Sequence, residues 1–236
     1  MIKKELISKS PLRILEKSIH GGVGNGNIGV IASPKGMGKT ACLVHIATDS
    51  LFIGKRIIHI SFGANPNHIV TWYEDIFNEI ARRNNLGDAM AVHNETIRNR
   101  VIMNFVQDDT HIDKIRKNIA LLSSSNETPI NALFVDGYNF AKASQDDFHA
   151  FKKLAEENNI EIWFSASIKN DKEAALNQSG VPALIESFVN DIAILITLQN
   201  KDGFVRLNLV KDHDKMTIAE DMHLKLDPEL LLIAED

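Results

Sequence analysis

The run Asn27-Ile28-Gly29-Val30-Ile31-Ala32 is short, apolar and β-branched, the pattern of a fully buried strand. It breaks at once into Ser33-Pro34-Lys35-Gly36-Met37-Gly38-Lys39-Thr40, and a helix is expected from Lys39 towards Phe52, stopped by Gly54 at the left-handed cap position. A buried strand, a glycine-rich turn and a helix start, in that order, commit the chain to layered α/β architecture. The chemistry follows from the same order. Gly36 and Gly38 let backbone N–H groups turn inward around phosphate oxygens, where a side chain would obstruct them. Lys39 is expected to reach the β- and γ-phosphates of ATP, and the Thr40 hydroxyl to ligate Mg²⁺. The helix adds its partial positive N-terminus to the same anion site. Ser33 through Thr40 are therefore the candidate nucleotide-binding residues. Ser33 departs from the phosphate-loop pattern, which has Gly there, but a strand end needs only a small residue.

At 236 residues the chain is expected to be one large α/β domain over 1–236, with a lead-in over 1–26, a core over 27–198 and C-terminal strands over 199–236. The net charge of −5 argues against a dedicated polyanion binder, which usually carries a basic excess. Cys42 is the only cysteine, so no intramolecular disulfide forms and a reducing compartment is natural. No apolar run approaches the length of a membrane span and no signal-peptide pattern opens the chain, so a cytoplasmic location is expected.

Along the chain, Arg56 to Phe62 is a second apolar strand. The sequence Asn65-Pro66-Asn67 then caps a helix with Ile69, Tyr73, Ile76, Phe77 and Ile80 at helical spacing. The segment from Asp88 to Ser125 is expected to hold two more helices, striped by Ile97, Val101 and Phe105, then by Ile112, Ile115 and Ile119. Ile130 to Val135 is a third strand, closed by Asp136, and Ser144 with Asp147 caps a following helix. Ile160 to Ser165 is a fourth strand, followed by a polar loop from Lys169 to Gly180. Asp191 to Leu198 and Phe204 to Val210 read as a hairpin around Asn200-Lys201-Asp202-Gly203. His223 to Leu226 and Leu230 to Ala234 suggest a last strand pair around Asp227-Pro228. The alternation implies a mainly parallel sheet covered by helices on both faces, with a C-terminal antiparallel extension.

A phosphate loop needs a carboxylate on a neighbouring strand to hold Mg²⁺, and Asp136 stands where one is required. A strand-end Asp capping a turn beside Gly137 is the other reading, and the loop upstream favours the metal role. Gly21-Gly22 through Thr40 resembles the start of RecA-superfamily ATPase domains of the KaiC and RadA type, and Pro34 through Thr40 resembles the loop of DnaB-type replicative helicases. Gln178-Ser179-Gly180 through Leu195 is similar to a further helicase stretch, so the resemblance runs from about Ser10 to about Leu226. It implies a RecA-like P-loop fold in which the Ile160–Ser165 strand lies between the loop strand and the Asp136 strand. It also implies a homo-oligomer with ATP at subunit interfaces.

Departures from those families carry as much weight. Their second strand ends in a glutamate that activates water, whereas His59 to Asn65 contains no acid, and Glu74 and Asp75 lie well inside the next helix. Their Lys-x-Arg finger is matched here by Lys211-Asp212-His213, which makes Lys211 and His213 catalytic candidates alongside Lys39. Ser165 and Ser167 stand where a sensor Gln is common. A positioned base contributes about 10²–10⁴-fold, and an arginine finger about 10³–10⁵-fold. Against a typical turnover of roughly 10 s⁻¹, losing either leaves roughly ten seconds to hours per ATP. The expectation is an ATP-binding regulatory or assembly ATPase with slow or absent hydrolysis, switching contacts with protein partners, as in single-domain KaiC-like proteins and the archaellum accessory ATPase. The alternative is a DNA-acting helicase- or recombinase-like motor. The resemblance puts Lys169 and Lys172 where those families touch DNA, but Asp171 and Glu173 cancel much of that charge. Arg98, Arg100, Lys114, Arg116 and Lys117 read as a solvated basic face, Trp72 and Tyr73 as core, and Cys42 with His45 as packing beside the loop.

Overall fold

A computed structural model describes residues 2–63, 65, 67–105, 112–124, 129–227, 229 and 232–236. Residues 64, 66, 106–111, 125, 228, 230 and 231, which fall within the expected elements, lie outside the described residues. Among those described, one sheet has the strand order β3-β2-β4-β5-β1-β6-β7-β8-β9. The strands are β1 (Ile28–Pro34), β2 (Ile57–Ser61), β3 (Arg100–Asn104), β4 (Ala132–Asp136), β5 (Glu161–Ile168), β6 (Ile194–Lys201), β7 (Phe204–Asp212), β8 (Lys215–Leu226) and β9 (Ile233–Glu235). From β3 to β6 all neighbours are parallel, and the last three strands are antiparallel. The Ile160–Ser165 run, as β5, lies between β1 and β4, as the resemblance implied.

Burial on both faces explains the continuous apolar strands. One face packs Ile31, Ile57, Phe134 and Trp163 against α3 (Lys39–Phe52) and α4 (Asn67–Arg83). The other packs Val30, Ile60, Leu133 and Phe164 against α6 (Ile112–Ser124) and α7 (Gln145–Asn158). Ser144 and Asp147 form a reciprocal capping box at the start of α7. Asp202 and Gly203 both have positive φ, so the β6–β7 hairpin turns with the primed geometry that matches strand twist.

Two local expectations are corrected. The helix read through Val101 and Phe105 ends at Arg98, where α5 (Ala89–Arg98) stops, and Val101 lies on β3. Arg100 to Asn104 pairs along the whole of β2, and Val101 and Met103 pack on one face while Ile102 packs on the other. That is a period of two, and pairing with a buried strand outweighs a coincidental i, i+4 match. The lead-in contains α1 (Ile2–Lys9) and α2 (Leu12–Ser18), with Leu12, Leu15 and Ile19 buried at helical spacing. Arg13 of α2 ion-pairs with the buried Asp49 of α3. Short helices α8 (Asp171–Ala174) and α9 (Ala183–Glu186) break up the segment after β5. Among the described residues no helix is long and apolar enough to cross a membrane.

Candidate functional site

The loop leaves the carboxyl end of β1, the strand buried between β5 and β6. Gly36 and Gly38 have φ of 86° and 88°, a backbone that L side chains rarely adopt. At Gly38 a Cβ would also overlap the Leu226 side chain, because the end of β8 lies against the loop. Gly38 is the N-cap of α3, so the free N–H groups of the first helical turn open beside the loop. Ser33 is buried while Pro34, Lys35 and Gly36 are exposed and Met37 is half-buried, so the loop is rooted in the core and open at its crown.

Lys39 is buried, and its Nζ donates to the Pro34 carbonyl at 2.7 Å, the Ser33 carbonyl at 2.9 Å and Ser33 Oγ at 3.2 Å. Ser33 is thus more than a tolerated departure, since its hydroxyl helps hold the ammonium. Burial lowers the Lys39 pKa to about 8, against the opposing pull of the nearby Asp136 carboxylate. Thr40 Oγ1 donates to both Asp136 oxygens at 3.2 Å. Ser165 Oγ donates to Asp136 Oδ1 at 2.5 Å and accepts the Gly137 N–H at 3.2 Å. Ser165 therefore fixes the carboxylate towards Thr40. A hydroxyl and a carboxylate are hard oxygen donors of the kind Mg²⁺ prefers, with most of its shell left to water and phosphate.

The structure brings Ser33 through Thr40 together with Asp136, and leaves Lys211 and His213 far from them. Lys211 is opposite Leu195, and Leu195 is level with Val30. The loop starts four residues beyond Val30, roughly 13 Å further along the strand. His213 is at the other end of the sheet, where Asp212, opposite Ile194, begins a tight turn. Lys211 Nζ donates to the Val189 carbonyl at 2.6 Å, and burial lowers its pKa. His213 Nδ1 donates to Asp212 Oδ1 at 2.7 Å, while His20 Nδ1 hydrogen-bonds Asp212 Oδ2. The basic residues do not form one face: Arg100 stacks over the Tyr73 ring at 4.4 Å and lies 3.7 Å from Glu74. Glu74 also accepts from His93 at 2.6 Å, which ties it to α5 and away from the loop.

Three histidines have surroundings that the sequence did not show. His59 on β2 is fully buried, shares a hydrogen bond with the Tyr73 hydroxyl at 3.0 Å, and leaves Nε2 without a partner among the described residues. Burial lowers its pKa to about 4, with Asp136 pulling the other way, so it is neutral at pH 7. The signal was present, since a histidine between Ile58 and Ile60 interrupts a strand buried throughout. His45 accepts the Ile233 N–H at 3.0 Å, which ties α3 to the C-terminal strand. His68 lines a cavity of about 310 Å³ beside Asp136 together with Ser61, Phe62, Gly63, Asn65 and Gly137.

No protein-family model matches the chain, and no curated protein matches it in sequence. Among solved structures, an ATPase domain superposes with a TM-score of 0.68 at 17% identity, covering 94% of this chain and 88% of that one. At that identity the likeness shows the fold, which is RecA-like.

Proposed function

We propose that this chain binds ATP with Mg²⁺ at the Ser33–Thr40 loop and hydrolyses it slowly, working as a nucleotide-dependent switch or assembly element. The observation that carries this reading is the set of contacts linking the loop to β4: Thr40 hydrogen-bonded to Asp136, and Asp136 held by Ser165. The loop backbone and the α3 N-terminus would take the phosphates, with Lys39 moving from its carbonyl cradle to the β- and γ-phosphates. Thr40 and Asp136 would hold Mg²⁺, which screens phosphate charge when bound. Lys211 and His213 cannot serve this chain's own loop from across the sheet, so their catalytic role requires a second copy. A homo-oligomer with ATP between subunits fits that division of parts. The reading places the protein in the cytoplasm.

The test is nucleotide titration followed by thermal unfolding. ATP at about 100 times its dissociation constant should stabilise the wild type by roughly 2.7 kcal/mol, and Lys39→Ala should remove that shift. A Lys39→Ala protein with the wild-type shift would overturn the loop assignment.

The second reading is a DNA-acting motor. It draws on the exposed Lys169 and Lys172 beyond β5, but Glu173 accepts the Lys169 N–H at 2.8 Å and sits within the same patch. Stimulation of hydrolysis by DNA distinguishes the two, because the switch reading expects none.

A further inference from the structure

We propose that His68 accepts the proton of the attacking water in the residual hydrolysis, an inference that rests on the nucleotide reading above. Asp136 divides two neighbourhoods. On its β5 side it is held by Ser165, and in front of it stands Thr40. On its β2 side, where Ser61 is its register partner, the 310 Å³ cavity opens. The cavity adjoins the carboxylate expected to hold Mg²⁺, and we place the attacking water in it.

The polar side chains of the cavity wall are mostly committed. Ser61 Oγ accepts the Gly63 N–H at 3.2 Å, and Asn65 Oδ1 accepts the Asn67 N–H at 3.0 Å. Asp136 accepts from Thr40 and Ser165, and it is the carboxylate on this wall. His68 differs from all of them. It occupies the first turn of α4, is exposed, and its ring nitrogens make no hydrogen bond among the described residues. Its ring meets the Trp72 ring edge-on at 6.0 Å, a contact that limits its rotation without using a nitrogen. The backbone keeps the residue at the cavity, because its N–H donates to the Asn65 carbonyl at 3.3 Å.

In the reaction the water oxygen forms a bond to the γ-phosphorus. The bond from that phosphorus to the bridging oxygen breaks, and its electron pair leaves on ADP. The water proton passes to an imidazole nitrogen of His68 and from there to solvent. An imidazole is suited to this work near neutral pH.

The experiment is single-turnover hydrolysis of γ-labelled ATP by the full chain from pH 5 to 9, with affinity for a non-hydrolysable ATP analogue measured in parallel. His68→Gln should slow hydrolysis about 10²-fold at pH 8 and leave analogue affinity within twofold. Added imidazole should restore part of the rate to His68→Gly, which separates proton transfer from a structural role. A His68→Gln protein that keeps the wild-type rate overturns the inference, as does a wild-type rate no higher than that of Lys39→Ala. A chain that binds no analogue overturns the nucleotide reading as well, so the two failures are distinguishable.

Discussion

The two ends of the sheet treat charge in opposite ways. At the carboxyl ends of β1 and β4, glycine backbone, a helix N-terminus and Lys39 prepare a positive cradle around one carboxylate, Asp136. At the other end a buried carboxylate, Asp212, is clasped by two histidines, His20 and His213, both with positive φ. The first arrangement keeps its crown open and leaves the phosphate contacts to a ligand. The second closes on itself, using its polar groups to join the turn before β1 to the β7–β8 turn. An anion site needs donors that are preorganised but not consumed, whereas a structural clasp consumes them. That difference is the reason we propose nucleotide chemistry at one end, with Lys211 and His213 joining it only from another copy.

Substitutions at the two ends of the sheet test whether they are as separate as their contacts suggest. The largest effect is expected from Gly63→Glu, which returns an acid to the cavity beside Asp136. Gly63 has no positive φ, and a Cβ there would meet only Ser61 Oγ, at 3.2 Å. The gain in hydrolysis should reach about 10²-fold or more. His213→Arg should add to it more than additively if ATP lies between subunits. Rate measurements on the single and double variants decide this, and an arginine that adds nothing at any protein concentration would confine catalysis to one subunit.

Next in size is Asp136→Asn, which should preserve the fold and weaken Mg²⁺ dependence of ATP affinity by about 10–100-fold. An unchanged Mg²⁺ titration would leave Asp136 as a turn residue. A smaller effect concerns Lys39. Its pKa is about 8 in the free protein, and bound phosphate would raise it again. Above pH 8 binding must therefore take up a proton, and below pH 8 it need not. ATP affinity should be flat from pH 6.5 to 7.5 and fall roughly five- to tenfold between pH 8 and 9. Affinity that is level through pH 9 would show that the ammonium never loses its proton.

The smallest effect on nucleotide binding is expected from Asp212→Asn. The clasp would lose its charge-assisted hydrogen bonds and stability should fall by about 2 kcal/mol, while ATP affinity stays within twofold. Urea unfolding with a parallel ATP titration reads both. A large loss of ATP affinity would mean that the two ends of the sheet are coupled.

Much of the candidate site was legible because it is built from consecutive residues. Ser33 to Thr40 specify their own conformation, with glycines at the two positive-φ positions and the helix start at Lys39. Asp136 could be found because it ends an apolar run. Val101 was misplaced because a five-residue strand and a helix stripe share an i, i+4 match, and pairing with β2 decides between them. His68 carries no local signal at all. It matters only because the start of α4 and the end of β4 line one cavity, although they are far apart in the chain.

By itself the sequence determined the parts whose physics is local: buried strands, the capping box at Ser144, the Asp202-Gly203 turn and the glycine-rich loop. Backbone conformation and burial period are set within a few residues, so they can be read there. Tertiary structure alone decided that Ser165 holds Asp136, that Leu226 leans on Gly38, and that Lys211 and His213 lie across the sheet from Lys39. Each of those facts depends on strand order and register, which arise from packing between segments distant along the chain.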